Sequence, residues 1–104
     1  MSVLRLDQAL SFWGGLDPQT GVICDKRHPQ FGESIVGREL LLQRTRGSTS
    51  SPGVLVETIR LGNGPTKIVV GEPDMTIVSA VFVANELYGI EVPVVIDPEV
   101  FKEA

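Results

Sequence analysis

The order of the secondary-structure patterns is the feature that most limits the folds open to this chain. Two helix-like segments alternate with short runs rich in β-branched residues, at 66–70 and 92–96. Helices that connect consecutive strands in this way predict parallel strands with right-handed crossovers. The 104 residues suffice for a single core, and they contain no internal repeat. The pattern therefore predicts one α/β domain over residues 1–104 with a mostly parallel sheet.

Each of the two predicted helices has local start signals. Ser51 is suited to the N-cap of the first helix, and Pro52 suits its first helical position. Asp74 caps the second helix, which is expected to cover about residues 75–87 and to stop at Gly89. Apolar residues cover the second helix nearly all round. It is therefore expected to be either buried on most of its faces or covered by a partner.

The amino-terminal half of the chain is less regular. Residues 3–6 alternate and predict a short edge strand, and residues 34–43 predict another strand, although their three leucines also suit a helix. Residues 11–33 are dense in turn residues and predict a long irregular loop in which only residues 21–24 are extended. Loops of this length in small domains are usually functional or disordered, and the three aromatic residues here argue against disorder.

Composition excludes several classes of function. The formal net charge is -4, which disfavours nucleic-acid binding because that role needs a basic face. Cys24 is the single cysteine, so the chain cannot form a disulfide framework or hold a zinc or iron–sulfur site by itself. The sequence has neither a signal-peptide pattern nor an apolar run that could span a bilayer. We therefore expect a soluble cytoplasmic protein.

A run of hydroxyl residues precedes the first predicted helix. It lies within Arg-Gly-Ser-Thr-Ser-Ser-Pro-Gly at residues 46–53, which we call the hydroxyl loop. Backbone amides at a helix start, beside hydroxyls and an arginine, predict a site for a carboxylate or a phosphate. The plainer interpretation is a flexible turn before a capped helix, but four consecutive hydroxyl residues exceed what a cap requires. A Walker-type phosphate loop is excluded because no Gly-Lys-Ser/Thr ending is present.

Three further features are candidates for a site. His28 is the only histidine, so it is either a catalytic base or an imidazole that binds backbone groups in a loop. Trp13 is followed by Gly14 and Gly15, which let the backbone approach a ligand or a partner closely, unless Trp13 simply fills the core. Several carboxylates are either acids and bases or ordinary surface charges: Asp17, Asp25, Glu33 and Glu39.

Several stretches together resemble the swivel domain of the aconitase X family. They include Ser-Phe-Trp-Gly-Gly-Leu-Asp-Pro-Gln-Thr-Gly at residues 11–21, His-Pro at 28–29, Gly-Glu-Ser-Ile-Val-Gly at 32–37 and Arg-Gly-Ser-Thr-Ser at 46–50. Parts of residues 72–95 also resemble that family, so the match covers nearly the whole chain. The resemblance implies a swivelling β/β/α fold and a dehydratase activity.

The resemblance also implies a partner and a cofactor. In that family the swivel domain is fused to, or partnered by, a large subunit whose cysteines hold an iron or iron–sulfur centre. Such a centre acts as a Lewis acid on the leaving hydroxyl group. The implied activities include dehydration of cis-3-hydroxy-L-proline and of 5-phosphomevalonate, and the carboxyl-terminal part of this chain resembles more closely the members associated with hydroxyproline. The expected partners are therefore a large subunit and a small carboxylate substrate, with no nucleic acid and no membrane.

Residue roles follow from the same resemblance. The serine after the loop glycine, Ser48, is the implied base at the carbon next to the substrate carboxylate. Arg46 and the helix start would stabilise its alkoxide. The implied substrate-binding residues are Arg46, Gly47, Thr49 and Ser50. The implied partner or active-site loop contains Trp13, Gly14, Gly15, Asp17 and His28, and no metal ligand is expected in this chain.

The sequence departs from the family pattern in three places. Thr45 replaces a glycine, Ser51 and Pro52 replace Gly-Ser, and the strand that usually precedes the segment matching residues 3–6 is missing. The altered loop leaves a second hypothesis open, a non-catalytic swivel-like module that binds a partner or a small anion. A third hypothesis is a stand-alone hydrolase that uses a serine and His28.

Overall fold

A four-stranded parallel sheet forms the centre of the molecule. The computed structural model describes residues 2–47 and 50–101, without the side chain of Phe101. The sheet has the order β1-β4-β5-β6, with β1 at Val3–Arg5, β4 at Glu39–Leu42, β5 at Lys67–Val70 and β6 at Val94–Ile96. All three pairings in it are parallel. The predicted α/β fold with a mostly parallel sheet is confirmed.

Two helices connect the parallel strands and pack against each other: α2 at Ser51–Arg60 and α3 at Met75–Tyr88. The predicted limits of α3 are confirmed, since Asp74 Oδ1 accepts a hydrogen bond from Ile77 N and Gly89 ends the helix with a φ of 67°. The N-cap prediction for Ser51 is wrong. Ser50 occupies that position, because the Ser51 side chain turns inward and is fully buried.

The predicted strand at residues 34–43 is shorter in the structure. A turn at Gly37, whose φ is 66°, precedes β4, and only Glu39–Leu42 pair with neighbouring strands. The leucines lie in this strand and not in a helix. Leu40 and Leu42 are buried and Leu41 is half-buried, as the two-residue repeat of a strand requires.

Residues 11–33 are more ordered than the sequence indicates. They contain α1 at Phe12–Gly15, a short kinked helix, and an antiparallel pair of strands, β2 at Leu16–Asp17 and β3 at Val22–Ile23. Gly21 joins these strands with a φ of 72°, and a Cβ there would lie 2.5 Å from Val36 Cγ2. The segment also supplies buried side chains to the core: Phe12, Leu16 and Ile23. It is therefore a packed part of the domain.

The helix α3 is buried on one side only. Its inward residues are Ile77, Ala80 and Ala84, and its exposed residues include Met75 at 72%, Phe82 at 64% and Leu87 at 66%. Burial on most faces within this chain, one of the two sequence-based alternatives, is therefore wrong, and cover by a partner stays a prediction. No helix in the described part of the chain has the length and apolarity needed to cross a membrane.

A single arginine covers part of the open edge of the sheet. Ser2 O and Leu6 N bond to β4, so the alternation of the strand directs the Val3 carbonyl away from the sheet. Arg38 Nη2 donates to that carbonyl at 3.0 Å. The same guanidinium also donates to other groups nearby: Ser2 Oγ, Glu33 Oε1 and Ser34 O. Arg38 therefore links β1 to the turn before β4. The position of β1 at the edge of the sheet confirms the predicted edge strand.

Replacement of Arg38 by alanine is expected to lower the free energy of unfolding by about 1–3 kcal/mol, because several charge-assisted hydrogen bonds are lost together. Urea denaturation of the two proteins measures the difference. Arg44→Ala is the matched control, since Arg44 is exposed and its nearest carboxylate, Glu72, lies 3.9 Å away. An equal effect of both substitutions would contradict a specific role for Arg38.

Candidate functional site

The described ends of the hydroxyl loop lie at the carboxyl end of β4 and at the start of α2. Beyond β4, Thr45 forms a parallel bridge with Leu10, and Arg46 N donates to Leu10 O at 3.0 Å. Ligands commonly bind at this edge of a parallel sheet. Ser48 and Thr49, the predicted base and one predicted substrate-binding residue, lie outside the described residues.

The turn that follows Phe12 packs against the start of α2. Trp13 N donates to Ser51 Oγ at 3.2 Å, which joins two motifs 38 residues apart in the sequence. The Trp13 side chain is 61% exposed, so it does not fill the core. Gly14 has a φ of 80°, and a Cβ on Gly15 would lie 2.9 Å from Leu10 Cδ1. Both glycines are therefore required by the turn itself, which leaves the Trp13 indole at the surface beside α2.

Asp25 holds Arg46 at the entrance of the hydroxyl loop. Its carboxylate is mostly buried, with Oδ2 3.8 Å from Arg46 Nη2 and Oδ1 3.9 Å from Arg27 Nε. Asp25 Oδ1 also accepts a hydrogen bond from Arg27 N at 3.0 Å. Two guanidinium groups thus face one carboxylate and leave an excess positive charge that favours anions. The sequence marks Asp25 as one of several scattered carboxylates and as part of the family resemblance, but it does not pair Asp25 with Arg46.

The imidazole of His28 is buried and contacts backbone groups with both of its nitrogens. The ring is buried, and its Nδ1 accepts a hydrogen bond from Gln30 N at 3.0 Å. Its Nε2 lies 3.0 Å from Gln8 O, so a neutral ring carries its proton on Nε2 and donates it there. The interpretation of His28 as an imidazole that binds backbone groups is confirmed. Because both ring nitrogens bind backbone groups, His28 is not available as the base that the hydrolase hypothesis requires.

A polar cleft of about 330 Å³ lies beside the start of the hydroxyl loop. The residues that line it are Gln8, Ala9, Asp25, Arg27, His28 and Arg46. Gly47 is exposed, and no atom lies within 4 Å of the point where its Cβ would stand. Ser50 is exposed as well. The structure therefore brings Arg46 and the edge of His28 to one open cleft. Gly47 and Ser50 are exposed but are not among the residues that line it.

Asp17 lies apart from this surface. Its Oδ1 accepts a hydrogen bond from Gln19 N at 2.9 Å and holds the turn between β2 and β3. That turn contacts the other end of α2, where Asn63 Nδ2 donates to Pro18 O at 3.0 Å. Asp17 therefore supports the antiparallel strands at the opposite end of α2 from the hydroxyl loop.

The described residues contain no group of side chains that suits a metal centre. Within residues 2–47 and 50–101, no three His, Cys, Asp or Glu side chains are grouped so that they could share a metal ion. Cys24 is exposed, and its Sγ lies 3.5 Å from Gly14 O. An iron or iron–sulfur centre therefore has no set of ligands among the described residues.

Comparison with known proteins gives consistent matches. The family model of the aconitase X swivel domain matches residues 2–103. The chain is 39% identical over 101 residues, 97% of its length, to a cis-3-hydroxy-L-proline dehydratase of Pseudomonas aeruginosa. It is 45% identical over 76 residues, 73% of its length, to the phosphomevalonate dehydratase small subunit of Methanopyrus kandleri.

The structural match extends over almost the whole chain, but the curated relatives are longer. The crystal structure of Thermococcus kodakaraensis aconitase X in its holo-form aligns with a TM-score of 0.86 and 29% identity, covering 99% of this chain and 74% of that one. The alignments span 17% of the Pseudomonas protein and 56% of the Methanopyrus protein.

Proposed function

Because this chain belongs to the aconitase X swivel domain family, we propose that it is the small subunit of an aconitase X-type dehydratase, a hydro-lyase. In this proposal residues 1–104 form one swivel domain that acts in the cytoplasm as part of a heterodimer with a large subunit. The chain alone is inactive, since it contributes only one part of the active site.

The observation that carries the proposal is the fixed position of Arg46 beside an open polar cleft. The backbone N–H of Arg46 donates a hydrogen bond to Leu10 O, and its guanidinium forms an ion pair with Asp25. The Arg46 side chain is nevertheless 64% exposed. An exposed guanidinium at such a cleft can pair with a carboxylate through charge-assisted hydrogen bonds. This supports a substrate with at least one carboxylate group.

We assign the base to Ser48. In its alkoxide form it removes the proton from the carbon next to the substrate carboxylate, and the hydroxyl group on the neighbouring carbon leaves as a carbon–carbon double bond forms. The alkoxide is unfavourable in water, so Arg46 and the first amides of α2 must stabilise it. Gly47, Thr49 and Ser50 bind substrate oxygens in this proposal.

We assign the iron or iron–sulfur centre to cysteine ligands of the large subunit, because the described residues of this chain offer no set of ligands. The exposed apolar side chains support a large partner. Trp13 lies beside the hydroxyl loop, and Met75 follows Asp74, whose side chain binds Thr45 at the end of β4. Tryptophan and methionine are enriched at protein–protein interfaces, where they are buried on association.

The preferred substrate is cis-3-hydroxy-L-proline rather than 5-phosphomevalonate. The preference is supported by the extent of the sequence matches, which cover 97% of this chain for the Pseudomonas hydroxyproline enzyme and 73% for the Methanopyrus phosphomevalonate subunit. The sequence resemblance of the carboxyl-terminal segment to the members associated with hydroxyproline, described above, supports the same preference.

Reconstitution with a large subunit tests the proposal. The isolated chain is expected to dehydrate neither substrate, and the complex with a cysteine-rich large subunit from the same organism is expected to dehydrate cis-3-hydroxy-L-proline with the higher kcat/KM. Product formation measured for both substrates gives the result. A stable complex that dehydrates neither substrate would favour the non-catalytic module, and activity of the isolated chain would overturn the subunit assignment.

A further inference from the structure

The Asp74 carboxylate joins two elements at the carboxyl end of the sheet. Oδ1 accepts a hydrogen bond from Ile77 N at 3.3 Å and caps α3. Oδ2 accepts from both Thr45 N and Thr45 Oγ1, each at 2.7 Å. Asp74 therefore connects the start of α3 with the residue that directly precedes the hydroxyl loop.

The bonds to Thr45 are more than a helix cap requires. A cap needs one oxygen, and the second oxygen of Asp74 is used entirely for Thr45. Both bonds are short and partly buried and have an ionised acceptor, which makes them stronger than hydrogen bonds between neutral groups. Thr45 stands where the family pattern has glycine, and its hydroxyl adds the second of these two bonds.

We propose that Asp74 is a positioning residue that acts through Thr45 to fix the direction in which the hydroxyl loop leaves β4. This inference rests on the proposed function, in which that loop presents Ser48 to the substrate. Arg46 keeps two anchors of its own, Leu10 O and Asp25. The Asp74–Thr45 pair therefore holds the residue that directly precedes the hydroxyl loop, and it does so separately from the two contacts of Arg46.

Variants that separate the two roles of Asp74 test this inference in the complex with the large subunit. Asp74→Ser keeps an N-cap for α3 but is too short to reach Thr45, and Thr45→Val removes only the hydroxyl bond. We expect Asp74→Ser to lower kcat about 10- to 100-fold, as a misplaced reacting group does. KM is expected to change less than about threefold, since Arg46 remains anchored.

Two further variants supply the rescue and the control. Thr45→Ser keeps the hydroxyl and is expected to retain kcat within about threefold of the wild type, whereas Thr45→Val loses more. Asp97→Ser is the matched control, because Asp97 Oδ1 accepts from Glu99 N at the start of the 3₁₀ turn Pro98–Phe101. It is expected to leave kcat unchanged. Equal kcat values for Asp74→Ser and Asp97→Ser in an active complex would overturn the positioning role.

Amide hydrogen exchange on the full chain tests the connection without any activity. The Thr45 amide is expected to exchange at least about tenfold faster in Asp74→Ser than in Asp97→Ser, because the hydrogen bond from Thr45 N to Asp74 Oδ2 is removed. Unchanged exchange would overturn the inference even if the enzyme is active. Faster exchange in a complex that never dehydrates either substrate would instead refute the proposed function and leave the connection between Asp74 and Thr45 established.

Discussion

Replacement of Ser48 by alanine is expected to lower the kcat of the reconstituted complex by about 100- to 10,000-fold, the range by which a well-placed general base accelerates a reaction. KM is expected to change little, because Arg46, the proposed partner of the substrate carboxylate, retains its hydrogen bond to Leu10 O and its ion pair with Asp25. Steady-state kinetics with cis-3-hydroxy-L-proline measures both quantities.

Ser34→Ala is the control for this substitution. Ser34 lies in the turn before β4, at the opposite end of that strand from the hydroxyl loop, and its Oγ accepts only a surface hydrogen bond from Val36 N at 3.2 Å. This variant is expected to have the wild-type kcat. Undiminished dehydration by the Ser48→Ala complex would end the assignment of Ser48 as the base.

Replacement of Phe12 by alanine is expected to reduce the free energy of unfolding by about 3–5 kcal/mol, the usual cost of removing a buried aromatic ring. Phe12 is completely buried in the core that both sheets and the two long helices share. Since small domains are stable by only about 5–15 kcal/mol, this variant is expected to be partly unfolded near body temperature. Urea and thermal denaturation of the isolated chain measure the loss.

The control for this second substitution is Phe31→Ala in the same segment of the chain. Phe31 is 49% exposed, so its removal is expected to cost less than about 1 kcal/mol. Similar losses for Phe12 and Phe31 would mean that residues 11–33 are loosely attached, as an irregular loop would be, and would contradict the packed arrangement described above.

Much of the fold was predictable because the residues that start and stop its helices and strands act on backbone groups close to them in the sequence. Asp74 and Gly89 lie at the two ends of α3, and both act on backbone groups within a few residues, so the sequence reports them directly. The β-branched run at residues 66–70 is similarly local and corresponds closely to β5. Ser51 shows the limit of such signals, because its hydroxyl is taken by Trp13 N rather than by its own helix.

The arrangement of the candidate site depends on contacts that no local pattern encodes. Asp25 faces Arg46 only because the segment after β3 returns to the end of β4, and Asp74 reaches Thr45 across 29 residues of sequence. The run of hydroxyl residues identified Arg46 and the hydroxyl loop, and the family resemblance added roles for them, but neither revealed which side chains contact them. Asp17 belongs to a quoted motif and yet lies at the other end of α2 from that loop.

The exposed side of α3 limits how much of this chain can accumulate alone. Phe82 and Leu87 face water there, and large apolar side chains left uncovered favour association between copies. In the proposed heterodimer, copies of this chain made in excess over the large subunit would keep these side chains exposed and would tend to self-associate. Under that proposal, matched production of the two subunits, for example from one transcript, would limit this self-association.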